Sequence, residues 1–190
     1  MKKLVLKNFR NNISLISKMA TGDFADKIVL ISNVITDVYK KNKKLLIAGN
    51  GGSAADAQHI TAELVNQFYY DRRALSAIAL STDTSIITSL ANDKSYDLVF
   101  ERQIEAHGNY GDVFMPISTS GNSQNLVNAI NKAKEKNLIT ISLLGNNGGK
   151  MKEMCDYEII VPSKDTARIQ EAHELIYHTI CELVEQSFLK

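Results

Sequence analysis

From Lys44 onward the chain alternates short apolar runs with helix-like stretches, and no other feature constrains the fold as much. The apolar runs cover 45–48, 77–80, 113–117, 139–144 and 157–161. Helical stretches follow at about 54–67, 83–90, 95–107, 123–136 and 149–154, with a long one from about 166 to 188. Runs that are apolar on both faces belong in a parallel sheet covered on both sides. Right-handed crossovers then predict an α/β, doubly wound, five-stranded parallel sheet of flavodoxin-like type. Pro116 is the awkward residue, because it has no N–H for a sheet ladder. It is predicted at the very end of its strand or on a bulge.

Residues 4–40 read as two helices, an N-terminal helical hairpin set before the sheet. Leu6, Phe9, Ile13, Ile16 and Met19 recur at three- and four-residue steps, as do Ile28, Ile31, Ile35, Val38 and Tyr39. Thr21-Gly22-Asp23 interrupts the pattern and offers capping side chains. Helices this apolar are predicted both to cover the core and to pair with another subunit. With no linker, repeat or low-complexity tract, residues 1–190 read as one domain, residues 1–42 being its helical extension.

Composition excludes several function classes. The 190 residues are 44% apolar and 23% charged, the profile of a soluble globule. A formal net charge of +1 gives no electrostatic case for nucleic acid, and residues 4–40 carry no recognition-helix pattern with clustered basic groups. No apolar run approaches the ~20 residues of a membrane span, and the start lacks the long apolar stretch of a signal peptide. Cys155 and Cys181 have no CxxC spacing and read as reduced, packed cysteines of a cytoplasmic protein.

In a doubly wound sheet, ligands gather beyond the carboxyl ends of the strands. Three polar loops fall there: Gly49–Ser53, Ser118–Ser123 and Gly145–Gly149. The second packs four hydroxyls, a glycine and a helix start into six residues. Hydroxyl donors, free N–H groups and a helix N-terminus suit a phosphate, and a plain N-cap by Asn122 or Ser123 is the competing reading. The first loop lacks the Gly-Lys-Ser/Thr of a Walker loop and does not match GxGxxG, so nucleotide binding is disfavoured.

His59 and Glu63 stand four residues apart on the predicted helix after the first loop, on one face and about 6 Å apart along the axis. That geometry suits a metal such as zinc, and it equally suits a half-buried histidine beside a solvated glutamate. The last helix adds Gln170, His173 and His178. Gln170 and His178 lie ~12 Å apart along a regular helix, so they share a point only if their side chains lean together or Gln170 precedes the helix. His173 points about 140° away from His178 and reads as a packed structural histidine.

Gly49-Asn50-Gly51-Gly52-Ser53-Ala54-Ala55-Asp56-Ala57-Gln58-His59, with Glu63 following, resembles the signature of the phosphoheptose isomerases of the sugar isomerase (SIS) domain family. The likeness continues through Thr82-Asp83, Asn92-Asp93, Ser118–Ser123, and Thr166-Ala167-Arg168-Ile169-Gln170-Glu171-Ala172-His173 with His178. Together these cover nearly everything from residue 44 to the last helix.

The resemblance implies a cytoplasmic homotetramer with active sites between subunits. It would convert sedoheptulose 7-phosphate to D-glycero-D-manno-heptose 7-phosphate, the first step towards the heptose of bacterial lipopolysaccharide or related glycans. By the same likeness one zinc per subunit is held by His59, Glu63, Gln170 and His178, with Glu63 and His178 as the acid–base pair. Asn50, Gly51, Gly52, Glu63, Asn92, Asp93, Ser118, Thr119, Ser120, Ser123 and Gln170 match the family's substrate contacts.

One departure is visible. Where many relatives carry Gly-Arg after Glu63-Leu64-Val65, this chain has Asn66-Gln67. Arg72 or Arg73 replaces the missing arginine only if the chain bends it inward; otherwise the two are solvated charges beside Asp71. A non-catalytic SIS-domain protein, like the bacterial adaptor that organises replication initiators, is the alternative reading. Such an adaptor has no need of the full set His59, Glu63, Gln170 and His178. A sugar-phosphate-sensing regulator would bring a basic DNA-binding domain, for which these residues leave no room.

Overall fold

The computed structural model describes residues 1–189. Five parallel strands form one sheet in the order β2-β1-β3-β4-β5: β1 Leu45–Gly49, β2 Ala77–Ala79, β3 Val113–Ser118, β4 Ile139–Gly145 and β5 Tyr157–Val161. This is the predicted flavodoxin-like order. Seven α-helices surround it: α1 Lys2–Ala20, α2 Phe24–Lys40, α3 Gly52–Val65, α4 Thr84–Asp93, α5 Val99–His107, α6 Gln124–Glu135 and α7 Thr166–Gln186.

Strand side chains alternate between two cores, as a pleat requires. Leu45, Ile47, Val113, Met115, Ile117, Ile141, Leu143, Ile159 and Val161 face the layer of α1, α2, α3 and α7. Leu46, Ala48, Phe114 and Leu144 face α5 and α6. All of these strand residues are buried, which is why the runs read as continuously apolar.

Two local expectations need correction, and a third feature, the stripe of α1, is only partly covered. Pro116 lies inside β3, a central strand, paired to Ala48 of β1. The ladder from β3 to β4 stops at Met115 and Pro116 and resumes at Ile117↔Leu143 in the same register. The sheet thus absorbs the missing N–H with a local gap, and no extra residue is inserted. The helix predicted at 149–154 is a single 3-10 turn, Gly149–Met151, because Gly148 and Gly149 have φ of +84° and +55°, outside the helical region. The apolar stripe of α1 is only partly used: Leu15 and Met19 are buried, while Leu6, Phe9 and Ile13 are exposed.

Candidate functional site

The chain leaves β1 at Gly49 and enters α3 almost at once, and this tight turn decides where His59 points. α7 lies against α3 and runs in the same direction. Gly52 faces Gln170, and His59 faces Tyr177, the same 118-residue offset at both points. A Cβ on Gly52 would sit 2.0 Å from the Gln170 amide nitrogen, so only glycine lets that side chain lie there.

Two turns further along α3 the imidazoles meet. The rings of His59 and His178 are 4.9 Å apart, edge to face. His59 Nε2 lies 3.0 Å from Glu63 Oε1, and its Nδ1 lies 3.0 Å from the Tyr177 hydroxyl. Phe68 and Tyr177 complete the surround of His178, at ring separations of 5.6 and 4.8 Å. Glu63 and His178 therefore flank the same histidine from two helices. Gln170 sits well inside α7 and against Gly52, about 12 Å along the axis from His178, so one chain does not bring it to the imidazole pair.

Three residues that the sequence reading passed over join this cluster. Glu174 offers a carboxylate oxygen such that donor atoms of His59, Glu174 and His178 all lie within 4.8 Å of one another. Tyr177 fixes the His59 ring from behind. Asp56, one turn before His59, has a buried carboxylate oxygen without a hydrogen-bond partner. Burial, with the neighbouring Glu174 charge, pushes Asp56 up to about 6 against the pull of His59. Burial and the carboxylates of Asp56 and Glu174 likewise raise the Tyr177 hydroxyl, which keeps its proton at neutral pH. One signal was readable in advance: Glu174-x-x-x-His178 mirrors His59-x-x-x-Glu63, so each helix carries its own i, i+4 acid–imidazole pair.

The donors fit a zinc ion chemically. Two imidazoles and a carboxylate are ordinary zinc ligands, whose donor atoms around one tetrahedral ion stand about 3.4 Å apart. Modest side-chain rotation closes the observed separations to that figure. If His59 Nδ1–H donates to Tyr177, the Nε2 lone pair is left for a metal, the usual outer-shell arrangement for a liganding histidine.

At the carboxyl edge of the sheet the polar loops interlock. Asn50 and Asn125 exchange amide hydrogen bonds, each 3.0 Å, and the Tyr96 hydroxyl donates to Asn50 Oδ1 at 2.9 Å. The Asn50 amide is thus held by partners that the sequence did not point to. Gly51 is exposed with φ +55°. Asn92 donates to Asp93 at 2.8 Å, both exposed at the end of α4. In the serine loop, buried Ser118 Oγ accepts from Gly121 N at 3.0 Å, and Ser120 Oγ accepts from Asn122 N at 3.2 Å. Thr119 is half-buried, and Ser123 stands at the N-cap of α6 without a capping side-chain bond. The competing reading, a plain cap by Ser123, therefore does not use its hydroxyl.

The third loop props up the second. A Cβ on Gly121 would lie 1.9 Å from the Gly148 carbonyl oxygen, and Asn122 Oδ1 accepts from Lys150 N at 3.1 Å. Its glycines serve close packing.

Of the two arginines, Arg72 bends inward and Arg73 stays exposed. Arg72 donates to the carbonyls of Glu63, Leu64, Asn66 and Arg73. Its Nε lies 3.5 Å from Glu185, both side chains being buried. Arg73 donates to Tyr39 O at 2.9 Å and stacks over Phe188. Arg72 is therefore not the solvated charge that one reading expected, while Arg73 remains exposed, as that reading had it. His173 is packed as expected: its Nε2 lies 2.9 Å from Leu144 O, and burial lowers it to about 4. Cys155 and Cys181 are free thiols, pushed by burial up to about 11 and 12.

Comparison with known proteins fits this geometry. Residues 8–145 match the family model of the SIS domain. The chain is 49% identical over 187 residues to a phosphoheptose isomerase of Clostridium acetobutylicum, covering 98% of this chain and 95% of that one. It is 55% identical over 181 residues to phosphoheptose isomerase 2 of Campylobacter jejuni, covering 87% and 90%. The solved phosphoheptose isomerase of Francisella tularensis superposes with a TM-score of 0.93 at 33% identity, covering 97% of each chain. The chain belongs to the SIS domain family and, within it, to the phosphoheptose isomerases.

Proposed function

We propose that this isomerase converts sedoheptulose 7-phosphate to D-glycero-D-manno-heptose 7-phosphate. It would act in the cytoplasm as a homotetramer with one zinc per subunit, at the first step towards the heptose of bacterial lipopolysaccharide or a related glycan. The relatives' shared name, phosphoheptose isomerase, supports the substrate class. Free thiols suit a reducing compartment, and exposed Phe9 and Ile13 on α1 suit packing between copies. No helix of the described residues is long and apolar enough to cross a membrane.

One observation carries the reading: Glu63 and His178, on different helices, flank the same imidazole. The ketose-to-aldose change takes a proton from C1 and returns one to C2, through an enediol(ate), while the hydroxyl proton moves between O1 and O2. A carboxylate and an imidazole on the C1–C2 edge suit the two transfers at neutral pH. His59, Glu63 and His178 would hold the zinc, which when bound polarises the sugar oxygens. Gln170, which lies over Gly52, would meet the substrate between the loops and the imidazoles.

Ser118, Thr119, Ser120 and Ser123 would anchor the phosphate through hydroxyls and N–H groups. Asn50, Gly51, Gly52, Asn92 and Asp93 would contact the sugar. Gly52 and His59 are about 10 Å apart along α3, a length that an extended seven-carbon chain together with its phosphate ester can span. Anchoring the tail fixes which carbons meet the acid–base pair. Incubating the purified protein with sedoheptulose 7-phosphate should yield the aldose phosphate; absence of that product overturns the assignment.

A further inference from the structure

Away from the imidazoles, the side chain of Asn50 is where three chain segments cross. Its Oδ1 accepts from the Tyr96 hydroxyl at 2.9 Å and from Asn125 Nδ2 at 3.0 Å. Its Nδ2 donates to Asn125 Oδ1 at 3.0 Å. Both lone pairs of the amide oxygen are thereby used, and one N–H is left over. Asn125 is buried in the first turn of α6, directly after the serine loop. Tyr96 opens the 3-10 turn Tyr96–Leu98, which follows shortly after Asn92 and Asp93. One helical turn on from Asn125, Asn128 Nδ2 donates to Asp97 O at 3.0 Å, so that turn is braced against α6 a second time. The amide pair alone would close equally well with both side chains turned over, and Asn50 would then offer a lone pair where it now offers N–H. A phenol is a good donor and a poor acceptor, because its ring withdraws the oxygen lone pair. The Tyr96 hydroxyl therefore favours the arrangement in which it meets the amide oxygen.

We propose that Tyr96 is a positioning residue: its hydroxyl sets the Asn50 amide so that the spare N–H donates to an acceptor oxygen of the sugar. The proposal rests on the function proposed above, in which Asn50, Asn92 and Asp93 meet the sugar and the serine loop its phosphate. Tyr96 is exposed, so its hydroxyl holds Asn50 from the solvent side and carries little of the core. The serine loop keeps bonds of its own, from Gly121 N to Ser118 Oγ and from Lys150 N to Asn122 Oδ1. Tyr96 thus acts on the sugar end and leaves the phosphate end to itself. A contact fixed in this way is made in the ground state and the transition state alike, and its loss weakens binding more than turnover.

Steady-state kinetics of the full-length protein with sedoheptulose 7-phosphate test this. Tyr96→Phe removes the hydroxyl and keeps the ring. Its KM should rise about 5- to 10-fold, the worth of one hydrogen bond, while kcat stays within about twofold. Competitive inhibition by inorganic phosphate, which reads the serine loop alone, should be unchanged. In an Asn50→Ala background, Tyr96→Phe should add nothing to KM, because the phenol acts through that amide. An unchanged KM in Tyr96→Phe overturns the proposal. So does a rise in KM matched by an equal loss of phosphate inhibition, which would mark a general loosening of the loops. A full further rise in the Asn50→Ala background also overturns it, since Tyr96 would then act independently of Asn50. Wild-type protein that leaves sedoheptulose 7-phosphate unconverted overturns the function reading and this proposal together. Wild-type turnover with an indifferent Tyr96→Phe overturns this proposal alone.

Discussion

The same two helices, α3 and α7, hold buried charge in two opposite ways. At their C-terminal end Glu185 accepts three backbone N–H bonds, from Phe68, Tyr69 and Tyr70, at 2.7, 2.6 and 3.0 Å. Arg72 stands beside it and spends its remaining donors on the carbonyls that end α3. Burial alone would raise the Glu185 carboxyl, yet the three N–H donors and Arg72 hold it below the usual carboxylate range. Two to three turns earlier, Asp56, His59, Glu63, Glu174 and His178 crowd together with a carboxylate oxygen unpartnered. The Glu185 carboxylate is saturated and fixes the chain; the Asp56 carboxylate is left short of partners, and a ligand can supply them. Charge whose every donor is satisfied is structural, and charge held short is where chemistry is placed.

The largest expected effect lies at the short end. Glu63→Gln and His178→Ala should each lower kcat by ~10²–10⁴-fold, the usual worth of a positioned acid or base. Circular dichroism and the size of the assembly should stay as in the wild type. Unaltered kcat in both variants would break the comparison, because this end would then be no more chemical than the other.

At the saturated end the loss should appear as stability. Glu185→Gln leaves Arg72 buried with less compensation and weakens three N–H bonds, costing about 3–5 kcal/mol in denaturant unfolding. Arg72 also holds the Glu63 carbonyl at 2.7 Å, so activity of the surviving folded protein should fall as well, though far less than in Glu63→Gln. A fully active Glu185→Gln of wild-type stability would show that the satisfied charge is decorative.

Much of this fold was legible because each strand is buried on both faces, so its run is apolar without alternation and needs no partner to be recognised. His59, Glu63 and His178 were legible through the resemblance and through helical spacing within each helix. Tyr177, Asp56 and the nearness of Glu174 were not, because the 118-residue offset between α3 and α7 is a packing fact that neither helix states alone. Pro116 misled for a related reason: propensity forbids it from donating, but a central strand can lose one ladder bond when the neighbours keep their register. Arg72 misled because a charged residue beside Asp71 reads as solvated until Glu185 arrives from the far end of the chain.

His173 provides a third, intermediate comparison on α7, about 1.4 turns before His178. It is buried as a neutral ring, lowered by desolvation from 6.5 to about 4. The unfolded chain therefore binds a proton between those values that the folded chain does not. Stability should be full above pH 6.5 and fall as pH drops towards 4, by about 1.4 kcal/mol per pH unit from this group. His173→Gln should remove that part of the slope, seen as the difference between the two unfolding-versus-pH curves. Equal slopes would mean that His173 titrates as it does in water, and that burial on α7 does not divide structural from reactive histidines.

The smallest effect should have the opposite sign to the rest. Asp56 is raised from 3.8 to about 6 chiefly by burial, so its folded form holds a proton more tightly than its unfolded form. That makes it stabilising to protonate: the metal-free protein is favoured at low pH by this group and loses the advantage as pH rises through 6. At pH 8 the ionised carboxylate should cost the metal-free protein about 1 kcal/mol, allowing for its partial exposure. Asp56→Asn should therefore raise the unfolding midpoint in chelator at pH 8 and leave it nearly unchanged at pH 4. With zinc added the gain should shrink or reverse, since a nearby cation favours the charged aspartate over the neutral amide. A stabilisation that is the same with and without zinc would mean that the crowded carboxylates do not see the ion. The unsatisfied end of α3 and α7 would then be a flaw in packing, with no cation-binding role.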